Sequence, residues 1–230
     1  MTSTTNRLTA TAGLCAAAAG AIFVGVQVKH PPADVAHLLT TEMAIRESAK
    51  VLMTVLALIG FTGMFLRHRG RPGFGALGVA GFSLLTAGFV ALFAVECIVG
   101  FVLPTVAHSN PTYVQHVLNA AVGSKPNGDI GLMQALLLAS GIGYPVGGLL
   151  FGIALFRARI LSRWAALLLA YGTVSVLALA VLPESFNRPF AVPTGIALIG
   201  LGVSLWRDQR RHVDTVRAPA PATTTELVAG

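Results

Sequence analysis

Long apolar runs separated by short arginine-rich segments are the feature that most restricts how this chain can fold. Six runs approach or exceed the length of about 20 residues that a helix needs to cross the hydrocarbon core. They are residues 8–28, 51–66, 74–103, 130–156, 160–182 and 191–206. An open sheet leaves unpaired backbone groups in lipid, and these runs are too continuous for barrel strands. The sequence therefore predicts an all-α polytopic membrane protein with six transmembrane helices over residues 8–207.

Composition agrees with a membrane protein and excludes several other classes. Of the 230 residues, 54% are hydrophobic and 11% are charged, whereas soluble domains carry about 25% charged residues. Two cysteines are too few for a disulfide-stapled fold. The net charge of +7 comes from short arginine clusters between apolar runs, and a nucleic-acid interface would instead need a basic patch on a solvated face. The lipid bilayer is the expected partner, and nucleic acid is not.

The basic residues alternate from one side of the predicted bundle to the other. Eleven of the sixteen, all arginine, lie in the tail 1–7, the connections 67–71 and 157–163, and the segment 207–217. Because Lys and Arg accumulate in cytoplasmic loops, we expect both termini in the cytoplasm and the protein in the inner (plasma) membrane. The tail 208–230 is expected to be disordered. If the first run is instead a cleaved signal peptide, five spans remain in the same orientation.

Two connections on the opposite side are long enough to contain structure of their own. Residues 29–50 begin with a pair of prolines that ends the first helix, and then mix apolar and charged positions at helical spacing. Glu42 and Arg46 are four residues apart and can pair on a helix. Together with residues 104–129, this segment predicts partly helical outer loops.

Glu96 is the one acidic residue inside a predicted span. It lies about 33 Å along the helix from Phe74, which places it near the outer boundary and not at the midplane. A carboxyl group in lipid is costly, so such a residue is a functional candidate. Two interpretations stay open: a proton carrier or general acid/base, and an interfacial residue paired with a cation of an outer loop.

A short polar loop joins the fifth and sixth predicted spans. It contains Glu184, Asn187 and Arg188, and prolines bracket it on both sides. Arg188 can hold a carboxylate or phosphate of a ligand, or pair with Glu96 or Glu184. The alternative is a salt-bridged cap over the bundle. With Arg46, these residues are candidates for an outward-facing binding site.

The fourth span combines glycines with a proline around Tyr144. Gly and Pro can interrupt a helix and expose backbone groups to a cavity, and Gln134 and Tyr144 would then be the polar groups facing it. Alternatively, the glycines form small-residue packing surfaces against neighbouring helices.

Motifs for several common chemistries are missing from the sequence. It contains no phosphate-binding Gly-Lys-Ser/Thr loop, no Gly-x-Ser-x-Gly elbow, no Cys-x-x-Cys pair and no zincin motif. The outer histidines lack the spacing of a metal-binding helix. We therefore expect no metal site and no cofactor.

Three stretches carry a resemblance to known sequences: His30–Asp34, Leu182–Phe190 and Thr194–Arg207. They resemble multi-span membrane proteins of actinobacteria whose activity is not established. The resemblance extends over residues 8–207, and the Ala-, Gly-, Val- and Arg-rich composition suits a high-GC genome. It implies a six-helix inner-membrane protein and transfers no catalytic residue.

Three function classes fit these features. The first is a protein that binds or transports a small or lipophilic molecule through an outward-facing cavity. The second is a structural or accessory subunit, and the third is a membrane-embedded enzyme with Glu96 or Glu184 as acid/base. Clustering of the outer carboxylates around one void would favour binding or catalysis, whereas isolated salt bridges would favour the accessory role.

Overall fold

The computed structural model of the protein describes residues 3–124, 128–177 and 187–217, in which all regular structure is helical. The helices are α1 (Ser3–Gly25), α2 (Val35–Leu38), α3 (Thr41–His68), α4 (Gly75–Cys97), α5 (Leu103–Ala107), α6 (Pro111–Ala121), α7 (Met133–Ala158), α8 (Arg163–Ser175) and α9 (Asn187–Arg217). A π-helical turn, Ile98–Val102, joins α4 to α5. The predicted all-α class is confirmed for this part of the chain.

Five stretches are long and apolar enough to cross a membrane. They are Asn6–Gly25, Thr41–His68, Gly75–Ala107, Met133–Ala158 and Pro189–Arg211. They correspond to the first four and the last of the predicted runs. The fifth run, 160–182, contains α8, whose 13 residues extend only about 20 Å, and residues 178–182 lie outside the described part. A sixth span therefore stays a prediction.

Two spans begin or end elsewhere than the sequence predicted. The second begins at Thr41 and not at residue 51, because the Thr40 hydroxyl caps α3 by accepting a hydrogen bond from the Met43 amide at 3.2 Å. The third continues past residue 103 to Ala107. Pro104 removes one backbone donor from that helix, and the π turn before it accommodates the proline ring without ending the helix.

The last helix is also longer than predicted. Helix α9 continues to Arg217, so the expectation of a disordered tail is wrong for residues 208–217. Asp208 accepts a hydrogen bond from Arg67 of α3 at 2.6 Å, and Gln209 is buried. These contacts tie this part of α9 to the bundle. Residues 218–230 lie outside the described part.

The long helices form a closed ring in the order α1, α3, α4, α7, α8, α9, with α9 returning to α1. Neighbours run antiparallel: Gly13 of α1 faces Gly202 of α9, and Gly20 faces Gly195. Three buried aromatic rings from α3, α4 and α7 meet edge-on in the centre. They are Phe61, Phe89 and Phe151, with the centroid of Phe61 4.9 Å from that of Phe89 and 6.1 Å from that of Phe151.

The glycines of α7 lie at helix contacts. A Cβ atom at Gly147 would collide with the backbone of Leu85 in α4, and one at Gly152 would come within 2.7 Å of the Ala166 carbonyl in α8. Pro145 lies inside α7 without ending it. These positions favour the packing interpretation of the glycines over an interrupted helix.

A second layer covers one end of the ring. Helices α2 and α6 pack there over the start of α3, the end of α4 and the start of α7, around a separate apolar cluster that includes Leu38, Val114 and Val117. We call this the capped end. The connections 69–74 and 159–162, with their arginines, lie at the opposite, arginine-rich end. The prediction that the two long connections are partly helical is confirmed.

Candidate functional site

A cavity of about 360 Å³ lies at the capped end, between the helix ring and the α2–α6 layer. Most of its wall is apolar, from residues such as Phe23, Met53 and Val95. A few polar side chains interrupt that wall. They are Gln27, His30, Glu47, Lys50, Glu96, Ser140 and Tyr144. The cavity thus combines a large apolar surface with a small set of polar groups, as small-molecule sites commonly do.

Three charged side chains form one cluster in this wall. The Lys50 ammonium lies 2.7 Å from Glu47 Oε1 and 3.5 Å from Glu96 Oε2. Glu47 is only 2% exposed, and Glu96 and Lys50 are largely buried. We call these residues the acid–lysine cluster. It places two carboxyl groups and one ammonium group in an apolar surrounding.

The backbone places the cluster near one boundary of the membrane-spanning region. Glu47 and Lys50 are three residues apart in α3 and share a helix face. Glu96 belongs to the last turn of α4. Along α3, Glu47 is about 30 Å from Arg67, and along α4, Glu96 is about 32 Å from Gly75. Both carboxyl groups therefore lie at a similar depth, close to the capped end.

A glycine makes room for the buried carboxylate. Gly100 lies in the π turn after α4, and a Cβ atom there would come within 2.8 Å of Glu47 Cβ. Any larger residue at this position would push α3 and α4 apart or displace Glu47. The missing side chain at Gly100 in the π turn thus leaves the space that Glu47 needs.

The charges of the cluster are incompletely satisfied. Glu47 Oε2 is buried and has no hydrogen-bond partner among the described atoms. The Glu47 and Glu96 carboxyl groups are close enough to interact through a shared proton, and His30 approaches Glu47 from the connection after α1. One lysine faces two carboxyl groups, so an open acceptor remains at the cavity wall. A carboxylate in this position can take up a proton or accept a hydrogen bond from a bound cation.

Two of the residues singled out from the sequence line the cavity, and Gln134 does not. Glu96 and Tyr144 are part of its wall, and the Tyr144 hydroxyl lies 2.8 Å from Thr194 Oγ1 of α9. Gln134 is exposed in the first turn of α7 and is not part of the wall. A role of Gln134 in binding stays a prediction.

Arg46 has a structural position outside the cavity. Its guanidinium donates to the carbonyls of Val26 at 3.1 Å, Val28 at 3.0 Å and Lys29 at 3.2 Å, at the end of α1. It also pairs with Glu42 at 2.8 Å, which confirms the predicted i, i+4 pair. Arg46 thus caps α1 and ties it to α3, and a role for it in ligand binding stays a prediction.

The polar side chains of the loop between the fifth and sixth predicted runs are outside the described part of the structure. Glu184 lies outside the described residues. Asn187 and Arg188 begin α9, and their side chains are outside the described part of the structure. Both interpretations of this loop, a ligand site and a salt-bridged cap, therefore stay predictions.

Sequence reasoning missed Glu47 and Lys50, although the sequence contains a signal for them. Met43, Glu47, Lys50 and Thr54 follow one another at spacings of four, three and four residues, which is one face of a helix. Starting the second span at residue 51 assigned the two charged residues to the partly helical outer connection. Extending the helix back to Thr41 moves them onto its inward face.

Neither a metal-ligand set among the described residues nor a match to another protein indicates what the site does. Within the described ranges, no three His, Cys, Asp or Glu side chains come together as metal ligands would. Comparison of the chain with protein-family models, curated proteins and solved structures finds no significant match. The chemistry of the site must therefore be argued from its own residues.

Proposed function

We propose that the protein is a six-span plasma-membrane protein, with both termini in the cytoplasm, that binds a small amphiphilic cation in the cavity at its capped end. The observation that carries this proposal is the acid–lysine cluster in an apolar wall, with the buried oxygen Glu47 Oε2 left open. The arginine distribution supports the orientation, which turns the cavity outward. The resemblance to actinobacterial membrane proteins supports the plasma membrane as the location.

The charge of the cluster favours a cation over an anion. Two carboxyl groups and one ammonium leave a net negative charge once Glu96 has also lost its proton, and a bound cation favours that ionised form. A ligand N–H group would reach an acceptor that the protein itself leaves open, and a charged donor makes the stronger bond. A carboxylate or phosphate ligand would instead meet Glu47 and Glu96 with only Lys50 to offset them.

The remainder of the wall defines the rest of the ligand. A volume of about 360 Å³ falls at the lower end of the range for small-molecule pockets, which is about 300–1,000 Å³. The apolar residues favour a short hydrocarbon or aromatic body. The ligand class is therefore a small amine with an apolar body.

The grouping of charges also discriminates between the function classes. Lys50 joins two acids of different helices around one void, and this favours binding over an accessory role built from isolated salt bridges. The cluster supports binding directly, and transport of the same ligand is a second function that such a binding site could serve. An enzyme would additionally need a reacting group placed against the bound substrate, and the cluster itself supports binding alone.

Thermal unfolding with matched ligands tests the charge preference. Hexylammonium, hexanol and hexanoate share one chain length and differ in charge, so each is added at equal concentration to the purified protein. Hexylammonium should raise the midpoint of unfolding, and the other two should not. Glu47→Gln and Glu96→Gln should lose the effect, whereas Glu42→Gln should keep it. Glu42 is the matched control because it is exposed on the same helix and lies outside the cavity.

Equal stabilisation by all three compounds would show that the cavity recognises only the apolar chain. Equal loss in Glu42→Gln would show that the effect comes from surface charge. Either result would overturn the proposed ligand class.

Thiol labelling tests the proposed orientation. In a background with Cys15→Ala and Cys97→Ala, Ser124→Cys and Arg71→Cys introduce one thiol each, at the two opposite ends. A membrane-impermeant maleimide added to intact cells should label Ser124→Cys alone, and Arg71→Cys only after lysis. The reverse pattern would contradict the orientation.

A further inference from the structure

A groove at the arginine-rich end is separate from the cavity described above. It has a volume of about 480 Å³ and lies on the outside of the ring, between the start of α8 and the second half of α9. Its lining changes from apolar to basic along α9. The residues are Ile160, Ser162, Trp164, Ile196, Ile199, Gly200, Val203, Ser204, Arg207, Asp208 and Arg211.

The apolar part and the basic part belong to one face of α9. Ile196, Ile199 and Val203 follow one another at helical spacing, and Arg207 and Arg211 continue the same row toward the end of the span. The candidate span ends at Arg211. The row therefore leads from the hydrocarbon region to the headgroup region of a bilayer.

Trp164 forms the opposite wall of the groove. It is 58% exposed, although it is one of the largest apolar side chains. Its ring lies against Gly200, where a Cβ atom would come within 2.6 Å of it. A tryptophan at the end of a span is typical of the interface, where an indole contacts both acyl chain and headgroup.

The charge of the groove is positive. Asp208 is the one acid in its lining, and both of its carboxylate oxygens accept hydrogen bonds from the buried Arg67, at 2.6 and 3.2 Å. Gln209 adds a third bond to this carboxylate, at 2.9 Å. Arg207 is exposed and forms no ion pair within the described ranges. The groove thus contains the exposed Arg207, with Arg211 one turn further along α9, beside an acid whose charge Arg67 already offsets.

We propose that this groove binds one anionic phospholipid of the surrounding leaflet. An acyl chain lies along Ile196, Ile199 and Val203, and the phosphate lies between Arg207 and Arg211. Guanidinium groups bind phosphate oxygens in pairs, and basic side chains at the membrane surface favour anionic lipids. The row of α9 side chains changes from apolar to basic, as a phospholipid changes from acyl chain to phosphate. A soluble anion would match only the basic part of the row.

Native mass spectrometry with two lipids tests this proposal. Dioleoylphosphatidylglycerol or dioleoylphosphatidylcholine is added at equal concentration to the detergent-purified full-length protein. The protein should retain one phosphatidylglycerol in preference to phosphatidylcholine. The double variant Arg207→Gln/Arg211→Gln should lower this occupancy by about tenfold or more, since each basic residue near the surface contributes to anionic-lipid binding.

The control removes the same charge elsewhere at the same end. Arg69→Gln/Arg71→Gln changes two exposed arginines of the α3–α4 connection and should leave the occupancy within about twofold of wild type, well inside the tenfold effect. Equal losses in both double variants would show a general charge effect and overturn the site. Retention of phosphatidylcholine to the same extent, or displacement of the lipid by millimolar glycerol 3-phosphate, would also overturn it.

Discussion

Replacement of Lys50 by methionine is the sharpest perturbation of the acid–lysine cluster. Lys50→Met keeps the length of the side chain and removes its charge. Glu47, which is 2% exposed, then loses the ammonium group that lies 2.7 Å from its carboxylate. Glu96 loses the same partner at 3.5 Å. The variant therefore leaves two neighbouring carboxyl groups without their shared cation.

The magnitude follows from the cost of a buried, uncompensated charge. Removing one partner of a buried pair costs about 3–5 kcal/mol. Protonation sets an upper limit on the cost of the uncompensated carboxylate, because the group can become neutral instead. For a glutamic acid with an ordinary pKa of about 4.3, adding that proton costs about 3.7 kcal/mol at pH 7 and about 1 kcal/mol at pH 5. We therefore expect Lys50→Met to lose about 3–4 kcal/mol of unfolding free energy at pH 7 and about 1–2 kcal/mol at pH 5.

The pH dependence has a defined sign. The loss of stability in Lys50→Met decreases as pH falls, because protonation removes the uncompensated charge of its buried carboxyl groups. In the wild type Lys50 already offsets that charge, so protonation brings no comparable gain in stability. His30 lines the same cavity and acts on Glu47.

Denaturant unfolding in mixed micelles, followed by tryptophan fluorescence, measures these free energies. Lys29→Met is the matched control, because Lys29 is exposed at the same end of the bundle, and it should change stability by less than about 0.5 kcal/mol. Adding Glu47→Gln to Lys50→Met should recover most of the loss at pH 7. A loss in Lys50→Met that is independent of pH, or no larger than in Lys29→Met, would refute the reasoning.

Two further predictions concern packing and a helix cap. Gly147→Ala should destabilise the protein by about 1–3 kcal/mol in the same assay, because its Cβ atom collides with Leu85, while Gly141→Ala should not, because its site is open. The pKa of Asp34 should lie below its ordinary value of 3.8 in a carboxyl NMR titration, because its carboxylate accepts hydrogen bonds from the His37 amide and ring. The Asp34 cap of α2 should therefore be lost only as the pH falls through that lowered pKa. His37→Ala keeps the amide donor and should raise this pKa part of the way, and an unchanged midpoint would contradict the assignment.

The apolar runs predicted the class of the fold because burial in lipid requires continuous helices. Most boundaries followed from the same runs. The start of α3 did not, because a cap at Thr40 begins the helix before a polar segment, and two residues of that segment, Glu47 and Lys50, point inward. The end of α9 was missed because the helix continues past the apolar run through polar residues, of which Asp208 pairs with Arg67 of α3.

The candidate site was predicted in part. Glu96 stood out because an acid in a span is rare and costly. Its partners could not be found in the same way, since Glu47 reaches Glu96 only through the packing of α3 against α4 at Gly100. Arg46 has the residue type of a ligand-binding group, but the end of α1 uses its donors. Pairing across helices is a long-range property, and helical spacing alone does not determine it.

The central claim is that the cavity at the capped end holds a small cation at the acid–lysine cluster. Native mass spectrometry of the full-length protein, extracted in mild detergent from its own membrane, tests this most directly. The wild type and Glu42→Gln should carry one discrete small mass that fragments to a basic nitrogen compound, and Glu47→Gln and Glu96→Gln should fold without it. The same bound mass in all four proteins, or only lipid adducts in the wild type, would contradict the claim.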